Sequence, residues 1–590
     1  LPIWKNACLD NYLLRLQNTG VNNEIMKKWL EDRLGISTLF SFFMDEPVEG
    51  GAKWSYVFGS ALIFVFMMQV ISGVMLATGY SASATDAWGS VYYIQHKTFS
   101  GWFVRGMHNI GSSAMIVLAV LHMGQTLIYG AYRRPRELNW ITGVFMLFMV
   151  FGFGLTGYLL PWDQKGFWAT QVATSIMGLS PGIGEFLKEV VQGGNDYGNL
   201  TLTRFYSFHV FFLPAGLMAF MAIHIYLFRR HGVTPHWKPG EIELKKKTQP
   251  FWPDQLFKDV IVAVIVFISM VVLVWYRGGA ELQSPADPSS NYLARPEWYF
   301  LFLFQLLKYF EGEMEVVGAI ILPSIVAGLI IALPFIDRAK SRYPLRRLPV
   351  LGSFGAVLAC VIYLTAMSVI SDSGDERIME QREESEKMAH LAVELAEHGI
   401  PPQGGASVFQ NDPLYSGEQL LRQHCLVCHN FEGSGGNSAP DLTAYNTKPW
   451  LVGFFADPNA PKYYGKTDID IMPEYDLEEE ELSDLVDFLL AQAEEGDEIG
   501  SELKETGEML LEENGCYNCH TFAEIGGDTA PILDNFGSDK WLRGIIEDPG
   551  KKEFFGPLNT MPAFKDKLSR QEIDNIVYFL QNKRKNSIKD

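Results

Sequence analysis

Cysteine is scarce in this chain, with six residues among 590. Four of the six fall in two short motifs, CLVCH at 425–429 and CYNCH at 516–520. The other two, Cys8 and Cys360, are too few for an iron–sulfur cluster, which needs several thiolates or a mixture of cysteine and histidine ligands. We therefore expect both to be inert, and we expect any iron–sulfur centre associated with this chain to belong to another chain.

Long apolar runs are absent beyond about Val369, where the sequence becomes polar and acidic. Before that point, seven runs recur that are long enough to cross a hydrocarbon core of about 30 Å. The sequence therefore predicts a membrane part followed by a water-exposed tail. The runs are 54–78, 105–129, 138–160, 205–228, 257–276, 316–336 and 349–370.

Lysine and arginine are rare in the loops after the first, third and fifth runs and frequent after the second, fourth and sixth. Positive residues in short loops are retained on the cytoplasmic side. We therefore predict a cytoplasmic N terminus and a tail on the outer side. A chain with this topology needs no cleavable signal peptide, and none is visible. The positive residues of the three loops are Arg133, Arg134, Arg136, Arg229, Arg230, Lys238, Lys245, Lys246, Lys247, Arg338, Lys340, Arg342, Arg346 and Arg347.

The two C-x-x-C-H motifs are typical of covalent c-type haem attachment, in which both cysteines form thioethers and the histidine ligates the iron. The motifs are 91 residues apart, and the surrounding sequence repeats at nearly the same spacing. A methionine follows each motif; one alone could equally fill a core, but its recurrence favours an axial ligand. The predicted haem residues are Cys425, Cys428, His429 and Met472 in the first copy and Cys516, Cys519, His520 and Met561 in the second.

Each copy of this repeat resembles class I cytochrome c. A haem ligated by histidine and methionine has a raised reduction potential. A proline follows each haem histidine by eleven residues, Pro440 in the first copy and Pro531 in the second. We predict that each proline carbonyl accepts a hydrogen bond from the second ring nitrogen and so orients the histidine.

Four histidines lie inside the membrane runs. His108 and His122 are fourteen residues apart, which is close to four helical turns, so they share one face about 21 Å apart. His209 and His224 in the fourth run are fifteen residues apart. In antiparallel helices, His108 meets His209 near the outer surface and His122 meets His224 near the inner one. A single membrane histidine is often only a hydrogen-bonding group, but four in this register predict two haem sites.

Glycines in the neighbouring runs repeat the spacing of these histidines. Gly59 and Gly73 are fourteen residues apart in the first run, and Gly143 and Gly157 are fourteen apart in the third. Glycine permits close approach of a backbone. We predict that these four positions leave room for flat macrocycles between the helices.

Several motifs of the membrane part resemble cytochrome b of the cytochrome bc family, the quinol-oxidising complexes of respiration and photosynthesis. The resemblance covers roughly residues 25–370 and is closest to the short, chloroplast-type form, with its two pieces joined. It implies an all-α fold, a seven-helix transmembrane bundle followed by two small cytochrome c domains. The motifs are RGMH (105–108), LHMGQ (121–125), RRPRELNW (133–140), GYLLPWDQ (157–164), TLTRFYSFH (201–209) and RPEWYF (295–300).

The resemblance also implies cofactors and roles for individual residues. It implies two non-covalent b-type haems beside the two covalent c-type haems, with Arg105 near a haem propionate. It further implies that quinol is oxidised on the outer side, with Glu297 as proton acceptor and Tyr158 and Tyr299 lining the pocket. Without the family, Glu297 would be read as an ordinary start of a helix. The chloroplast-type protein attaches a further haem through a cysteine where this chain has Val57, so we expect no third covalent haem.

The predicted organisation combines the repeat, the apolar runs and the resemblance. A charged segment rich in helix formers precedes PPQGG at 401–405, and we interpret the two as a surface helix and a flexible hinge. The predicted parts are an N-terminal cytoplasmic segment with a surface helix (1–53), a four-helix di-haem core (54–235), a three-helix quinol-site region (236–370), a charged linker (371–405) and cytochrome c domains at 406–495 and 496–590.

The leading functional hypothesis is a subunit of a proton-translocating quinol:electron-acceptor oxidoreductase in a bacterial cell membrane. Its implied partners are a Rieske iron–sulfur protein, membrane quinone, a soluble or membrane cytochrome as acceptor and a second copy of the chain; no nucleic acid is expected. The alternative is a non-catalytic membrane anchor and electron conduit of a quinone-linked dehydrogenase. The PEWY sequence and the seven-run layout favour the first hypothesis.

Overall fold

The computed structural model forms two units, Leu1–Ala406 and Ser407–Asp590. Cys8, Lys238 and the lysines at 245–247 lie outside the described residues, as do residues 27 and 36 of the predicted surface helix at 26–36; its residues 26 and 28–34 are helical. The described residues are 26, 28–35, 41, 44–45, 47–235, 248–290, 292–467, 472–475, 477–494 and 499–587.

Helices dominate the first unit. Seven of its described helices are long and apolar enough to cross a membrane, which confirms the seven predicted runs. One short antiparallel strand pair, β1 (Pro47–Glu49) and β2 (Thr248–Pro250), joins distant segments. The helices are α1 (Phe58–Ala77), α2 (Ala87–Tyr92), α3 (Gly101–Tyr129), α4 (Glu137–Leu159), α5 (Gln164–Gly178), α6 (Gly184–Gln192), α7 (Asn199–His231), α8 (Phe251–Arg277), α9 (Leu301–Leu307), α10 (Gly312–Ile336), α11 (Pro344–Ser373) and α12 (Glu376–Glu397). The seven spanning helices are α1, α3, α4, α7, α8, α10 and α11.

Five of the seven spanning helices extend further than their apolar runs, whereas α1 begins four residues later than predicted, at Phe58, and α4 begins and ends one residue earlier. α3 begins four residues before the predicted run, and α7 extends the fourth run at both ends. Backbone hydrogen bonding continues a helix into polar sequence, because the helix does not depend on hydropathy alone. The amphipathic helices α5 and α6 were not predicted. The side chain of Asp163 caps α5 by accepting from the Gly166 N–H at 2.8 Å.

The core of the first unit lies where α1, α3 and α8 pack together and where α4 packs on α7. Ala61 and Val65 of α1 and Val274 of α8 are fully buried. A Cβ added at Gly106 of α3 would lie 2.6 Å from the Val274 side chain. These tight crossings fix the mutual positions of the helices that carry the histidines.

The predicted hinge is packed against the membrane part. The Gly405 N–H donates to the Thr85 carbonyl at 3.1 Å, and a Cβ at Gly405 would lie 3.1 Å from Trp88. Ala392 and Ala396 of α12 are buried. The linker therefore has a docked end rather than a free one, because its small residues allow the chain to lie close to α2.

The second unit contains six described helices and two short hairpins. The hairpins are Asn430–Phe431 with Ser434–Gly435 (β3 and β4) and Thr521–Phe522 with Ile525–Gly526 (β5 and β6). The helices are α13 (Pro413–His424), α14 (Lys448–Ala456), α15 (Glu479–Glu494), α16 (Ser501–Glu513), α17 (Asp539–Glu547) and α18 (Arg570–Ser587).

The cores of the second unit do not follow the predicted repeat boundaries. One core joins α13 to α17 and α18, and we call residues 407–443 with 539–587 the terminal body. The other joins α14 and α15 to α16, and we call residues 448–494 with 499–533 the central body. The predicted domains at 406–495 and 496–590 therefore exchange their first helices. The short connection from α15 to α16 favours packing of these two helices as a local pair.

Candidate haem-binding and quinol sites

Two pairs of histidines face each other across α3 and α7. The ring centroids of His108 and His209, the first pair, are 6.1 Å apart with the ring planes at 70°. Those of His122 and His224, the second pair, are 6.5 Å apart at 69°. Imidazole–metal bonds are about 2 Å long, and two such bonds in line, with half a ring at each end, fill this spacing. The structure thus brings together the histidines that the sequence paired, and each gap suits one iron.

A hydroxyl group fixes which ring nitrogen of His108 carries the proton. Ser72 Oγ lies 3.0 Å from His108 Nδ1 and donates its own proton to the Met68 carbonyl at 2.7 Å. Because the only hydroxyl proton is used in that bond, the Ser72 oxygen accepts from Nδ1–H. Nε2 of His108 therefore keeps the free electron pair that an iron ligand requires.

Two threonines of α4 act in the same way on the two histidines of α7. Thr156 Oγ1 is 3.0 Å from His209 Nδ1 and donates to a backbone carbonyl of its own helix at 2.8 Å. Thr142 Oγ1 is 3.0 Å from His224 Nδ1 and donates to a carbonyl of its helix at 2.9 Å. Both histidines are therefore oriented, with Nε2 left for a metal.

His122 lacks such a hydroxyl. Within the described residues, no hydroxyl bonds its Nδ1. Three of the four predicted glycines directly follow serine or threonine, whereas Gly59 beside His122 follows Phe58. The second pair is therefore held by one oriented histidine, and the first pair by two.

The four predicted glycines lie against the four histidines. An imidazole ring lies against each glycine, and the predicted space for a macrocycle stays a prediction. Helices α1 and α4 can therefore approach the ligand helices closely. The distance from an added Cβ to Cε1 of the facing ring would be 3.5 Å at Gly59 (His122), 3.1 Å at Gly73 (His108), 3.2 Å at Gly143 (His224) and 2.6 Å at Gly157 (His209).

Thr156→Val should weaken haem retention at the first pair by about 10–100-fold, the usual effect of removing a hydrogen-bond partner of a metal ligand. Valine keeps the shape of threonine but gives His209 Nδ1 no acceptor. Transfer of haem from the purified protein to excess apomyoglobin measures the effect. Thr203→Val is the control, because Thr203 Oγ1 donates within α7, to the Asn199 carbonyl at 2.8 Å, and bonds no histidine among the described residues. Equal haem retention in both variants would contradict the assigned role.

Arg105, predicted to lie near a propionate, is one turn before His108 on α3. Its guanidinium donates to the carbonyls of Ala280 at 3.0 Å and Glu281 at 2.7 Å, and also to the Gln95 side chain. These bonds tie the segment after α8 to α3. The propionate contact stays a prediction.

Glu297 lies directly before the helical turn Trp298–Phe300, which leads into α9. Its Oε1 is 3.3 Å from Lys165 Nζ, and the same ammonium is 3.3 Å from Glu281 Oε2. The Glu297 side chain is 27% exposed, so a small molecule can reach it. The carboxylate is thus both accessible and held by a positive partner.

Lys165 is charged because two carboxylates share it. Burial lowers the pKa of Lys165, but Glu297, Glu281 and Asp163 together raise it above its ordinary value. For the carboxyl group of Glu281, burial raises the pKa, but Lys165 and Gln283 lower it below the ordinary value. A positive charge therefore lies beside Glu297 at neutral pH.

The segment that carries Glu297 is fixed by two neighbours. Tyr158 donates from its hydroxyl to the Arg295 carbonyl at 3.3 Å, and Lys165 Nζ lies 5.6 Å from the Tyr158 ring centroid. The Arg295 guanidinium in turn pairs with Asp372 at the end of α11, with Nε 2.7 Å from Oδ2. The structure thus brings Tyr158 close to Glu297, as predicted from the resemblance.

Tyr299 connects this segment to the first histidine pair. It is buried, and its hydroxyl would lie 2.9 Å from a Cβ at Gly154 of α4. Gly157, three residues further along α4, faces His209. The Glu297 segment therefore lies about one helical turn, roughly 5 Å, along α4 from the first pair.

Both haem histidines of the tail are oriented as predicted. His429 Nδ1 lies 2.6 Å from the Pro440 carbonyl, and His520 Nδ1 lies 2.6 Å from the Pro531 carbonyl. A carbonyl only accepts, so Nδ1 carries the proton and Nε2 is left for iron; this prediction is confirmed. Burial lowers the pKa of both imidazoles, although each carbonyl bond raises it, and the rings are therefore neutral at pH 7.

Each attachment motif forms one tight turn. The Cys428 N–H donates to the Cys425 carbonyl at 3.1 Å, and the Cys519 N–H donates to the Cys516 carbonyl at 3.2 Å. Burial raises the pKa of Cys425 to about 11, so its thiol is protonated at neutral pH.

Sequence reasoning missed the polar partners of the ligands. A hydroxyl residue precedes the glycine in the ITG, LTG and ISG sequences around Thr142, Thr156 and Ser72. That regularity is visible in the sequence once the glycines are assigned. Lys165 carries no such signal, because its two carboxylate partners are more than a hundred residues away along the chain.

Comparison with known families agrees with this geometry. The family described as cytochrome b(N-terminal)/b6/petB matches residues 113–287, and that described as cytochrome b(C-terminal)/b6/petD matches residues 285–382. The family described as cytochrome c matches residues 415–493. The matches follow one another from the membrane part into the tail.

Individual proteins of known family are also similar to this chain. The cytochrome bc complex cytochrome b subunit of Chlorobaculum thiosulfatiphilum is 36% identical over 350 residues, which cover 58% of this chain and 80% of that protein. The menaquinol:cytochrome c reductase cytochrome b subunit of Bacillus subtilis (strain 168) is 42% identical over 214 residues, which cover 35% of this chain and 96% of that protein. A solved structure titled hyperthermophilic respiratory Complex III matches with a TM-score of 0.52 and 27% identity, over 58% of this chain and 91% of that one. The chain therefore belongs to the cytochrome b family of cytochrome bc complexes, and is a haem-binding, multi-pass membrane subunit of electron transfer with cytochrome c sequence at its C terminus.

Proposed function

We propose that this chain is the cytochrome b/c subunit of a proton-translocating quinol:electron-acceptor oxidoreductase. The observation that carries the proposal is Glu297, a reachable carboxylate two residues before Tyr299, whose hydroxyl meets α4 about one helical turn from the contact with His209 of the first pair. A quinol bound there would have a proton acceptor and a metal site within reach of one ring. The name of the Bacillus relative, a menaquinol:cytochrome c reductase subunit, supports quinol as the substrate class.

The chain contributes ligands, spacing and proton acceptors, while haem iron supplies one-electron chemistry. The histidine pairs would hold two b-type haems, and the C-x-x-C-H motifs would attach two c-type haems. Glu297 accepts a proton from the quinol hydroxyl, and the buried Tyr299 orients the ring. Lys165 holds the carboxylate in place before the substrate arrives. Tyr158 closes the other side of the pocket.

A Rieske iron–sulfur protein is the partner that this mechanism requires. One electron of quinol would pass to it and on to the c-type haems, and the other would cross the membrane through the two histidine pairs. The six cysteines of this chain leave no set for an iron–sulfur cluster once four attach haem. A second copy of the chain and a soluble or membrane cytochrome acceptor complete the proposed complex.

The proposed location is a bacterial cell membrane, with the N terminus in the cytoplasm and the tail outside. Among the loops between the spanning helices, those that precede α4, α8 and α11 hold most of the lysine and arginine residues, which supports this orientation. Protons accepted by Glu297 during quinol oxidation would then be released on the outer side. The second histidine pair would lie towards the cytoplasm.

The proposal predicts two extractable and two covalent haems per chain. The membrane histidines bind iron without thioethers, whereas only four cysteines have attachment spacing. Val57 offers no sulfur, so no third covalent haem is expected in the membrane part. Acidified acetone followed by a haem count on both fractions measures this. Unequal b and c totals, or stain on a membrane fragment after denaturing electrophoresis, would contradict it.

Reconstitution into sealed vesicles tests the function directly. The complex should oxidise added menaquinol or ubiquinol, reduce an added cytochrome c and release protons on the side where the tail lies. Co-purification of a Rieske chain is expected. Absence of that chain together with absence of quinol-dependent reduction would favour the membrane-anchor alternative.

A further inference from the structure

The exchanged helices of the tail change which residues can meet at each haem. We propose that each c-type haem takes its histidine from one repeat and its methionine from the other. The pairs are His429 with Met561 in the terminal body and His520 with Met472 in the central body. The proposal rests on haem attachment at both motifs, as proposed above, but not on quinol oxidation.

The first step is the crossing of first and last helices. A Cβ added at Gly417 of α13 would lie 2.8 Å from Cβ of Phe579 and 2.1 Å from the Asn575 carbonyl, both on α18 of the other repeat. A Cβ at Gly507 of α16 would lie 2.2 Å from the Phe488 ring on α15. Only glycine permits these distances. Both crossings therefore join different repeats, and they do so reciprocally.

The second step is the contact made directly after each haem histidine. The ring of Phe431 contacts that of Phe579 in the other repeat, with centroids 5.5 Å apart and the planes tilted by 58°. Phe522, the equivalent residue of the second repeat, has its centroid 5.4 Å from that of Phe488. The segment that carries each attachment motif thus packs on the last helix of the other repeat.

The third step places the methionines. Met561 packs in the same apolar core as Cys425, and Met472 packs in the same core as Cys516. Phe564, three residues after Met561, has its ring centroid 6.5 Å from that of His424, the residue before Cys425.

The first repeat makes the reciprocal contact. Tyr475, three residues after Met472, packs in the same apolar core as Cys516. Each methionine segment therefore lies at the attachment motif of the other repeat.

The two bodies are connected where equivalent residues meet. A Cβ at Gly537 would lie 1.9 Å from Asn446 Nδ2, and these two residues are 91 apart, the repeat spacing. Tyr464 and Phe555, also equivalent, have ring centroids 6.1 Å apart. Such contacts are expected at a pseudo-two-fold axis between two exchanged copies. Asn446 and Gly537 both have positive φ, 58° and 73°, where the chain turns from one body to the other.

Cross-linking in the intact complex tests the exchange. Lys583 Nζ is 2.9 Å from Glu432 Oε1, and both side chains are partly exposed. If each repeat folded alone, Lys583 would instead lie beside Ala523 and Glu524, which follow His520 at the same distances as Glu432 and Gly433 follow His429. Zero-length carbodiimide coupling followed by digestion should give a Glu432–Lys583 peptide from the band of single-chain mass. Lys448 and Asp487, 2.7 Å apart within one repeat, are the positive control.

Recovery of the Lys448–Asp487 peptide without the Glu432–Lys583 peptide would overturn the proposal. A Glu524–Lys583 peptide would overturn it as well. Glu432→Gln should remove the expected product, and Glu524→Gln should leave it. The readout is the mass of the coupled peptides and does not depend on enzymatic activity.

Axial ligation is tested in a chain with one c-type haem. Replacing Cys425 and Cys428 by alanine leaves attachment only at the second motif, which haem staining of the denatured tail confirms. In this background, Met472→Ala should abolish the methionine-to-iron charge-transfer band and lower the midpoint potential. Met561→Ala should leave both unchanged. The reverse pattern, or equal effects of the two variants, would overturn the proposed ligation, whereas missing stain would contradict haem attachment itself.

Discussion

Glu297→Gln is expected to slow quinol oxidation by about 10²–10⁴-fold, the usual contribution of a positioned proton acceptor. Glutamine has nearly the same volume but accepts no proton from the quinol. The local structure should persist, because Lys165 keeps its 3.3 Å contact with Glu281. The turnover of the purified complex with added quinol measures the effect, and the spectra of all haems should be unchanged.

Glu313→Gln is the matched control for this experiment. Glu313 is an exposed carboxylate at the start of α10, and no ion pair to it is observed among the described residues. The control should turn over like the unaltered protein. Unaltered turnover in Glu297→Gln would return that residue to the role of an ordinary helix start.

Gly157→Ala is expected to remove the b-type haem of the first pair. The added Cβ would lie 2.6 Å from His209 Cε1 and 3.2 Å from Nδ1. A ring so tightly held must move, and its bond to Thr156 would break with it. The expected result is a fall from two extractable haems per chain to one, measured by acidified-acetone extraction.

Gly124→Ala is the control, because a Cβ at Gly124 of α3 meets no atom within 4 Å. It adds the same methyl group to a spanning helix without touching a histidine. Both extractable haems should remain in this variant. Two retained haems in Gly157→Ala would show that His209 is free to shift and that the glycine is not required.

Most of the membrane fold follows from sequence patterns with a direct physical cause. Apolar length predicts the seven spans, and the fourteen- and fifteen-residue histidine intervals predict which helices face each other. The helices α5 and α6 were missed because they lie outside the apolar runs and form where Asp163 caps a new start. Hydropathy carries no information about such helices.

The sites were predictable to the level of the ligands but not of their neighbours. Glycine spacing located four close contacts, each of which is made with an imidazole ring, and the predicted room for a macrocycle stays a prediction. The orienting hydroxyls of Ser72, Thr142 and Thr156 are set by side-chain direction on α1 and α4. Lys165 reaches Glu297 only through tertiary packing.

The exchange of helices in the tail could not be read from the repeat. Gly417 and Gly507 lie on equivalent helices, and Phe488 and Phe579 on the other equivalent pair. Either glycine would fit either phenylalanine, so local sequence does not choose between the pairings. The choice depends on the connection between α15 and α16, which is a property of the whole tail.

Rapid mixing of the oxidised complex with quinol is the most direct test of the central claim, that this chain takes part in quinol oxidation at Glu297 through both kinds of haem. The account predicts that a b-type and a c-type haem become reduced together, and that Glu297→Gln slows both phases equally. Reduction of the c-type haems alone, or phases that are unaffected by Glu297→Gln, would contradict it.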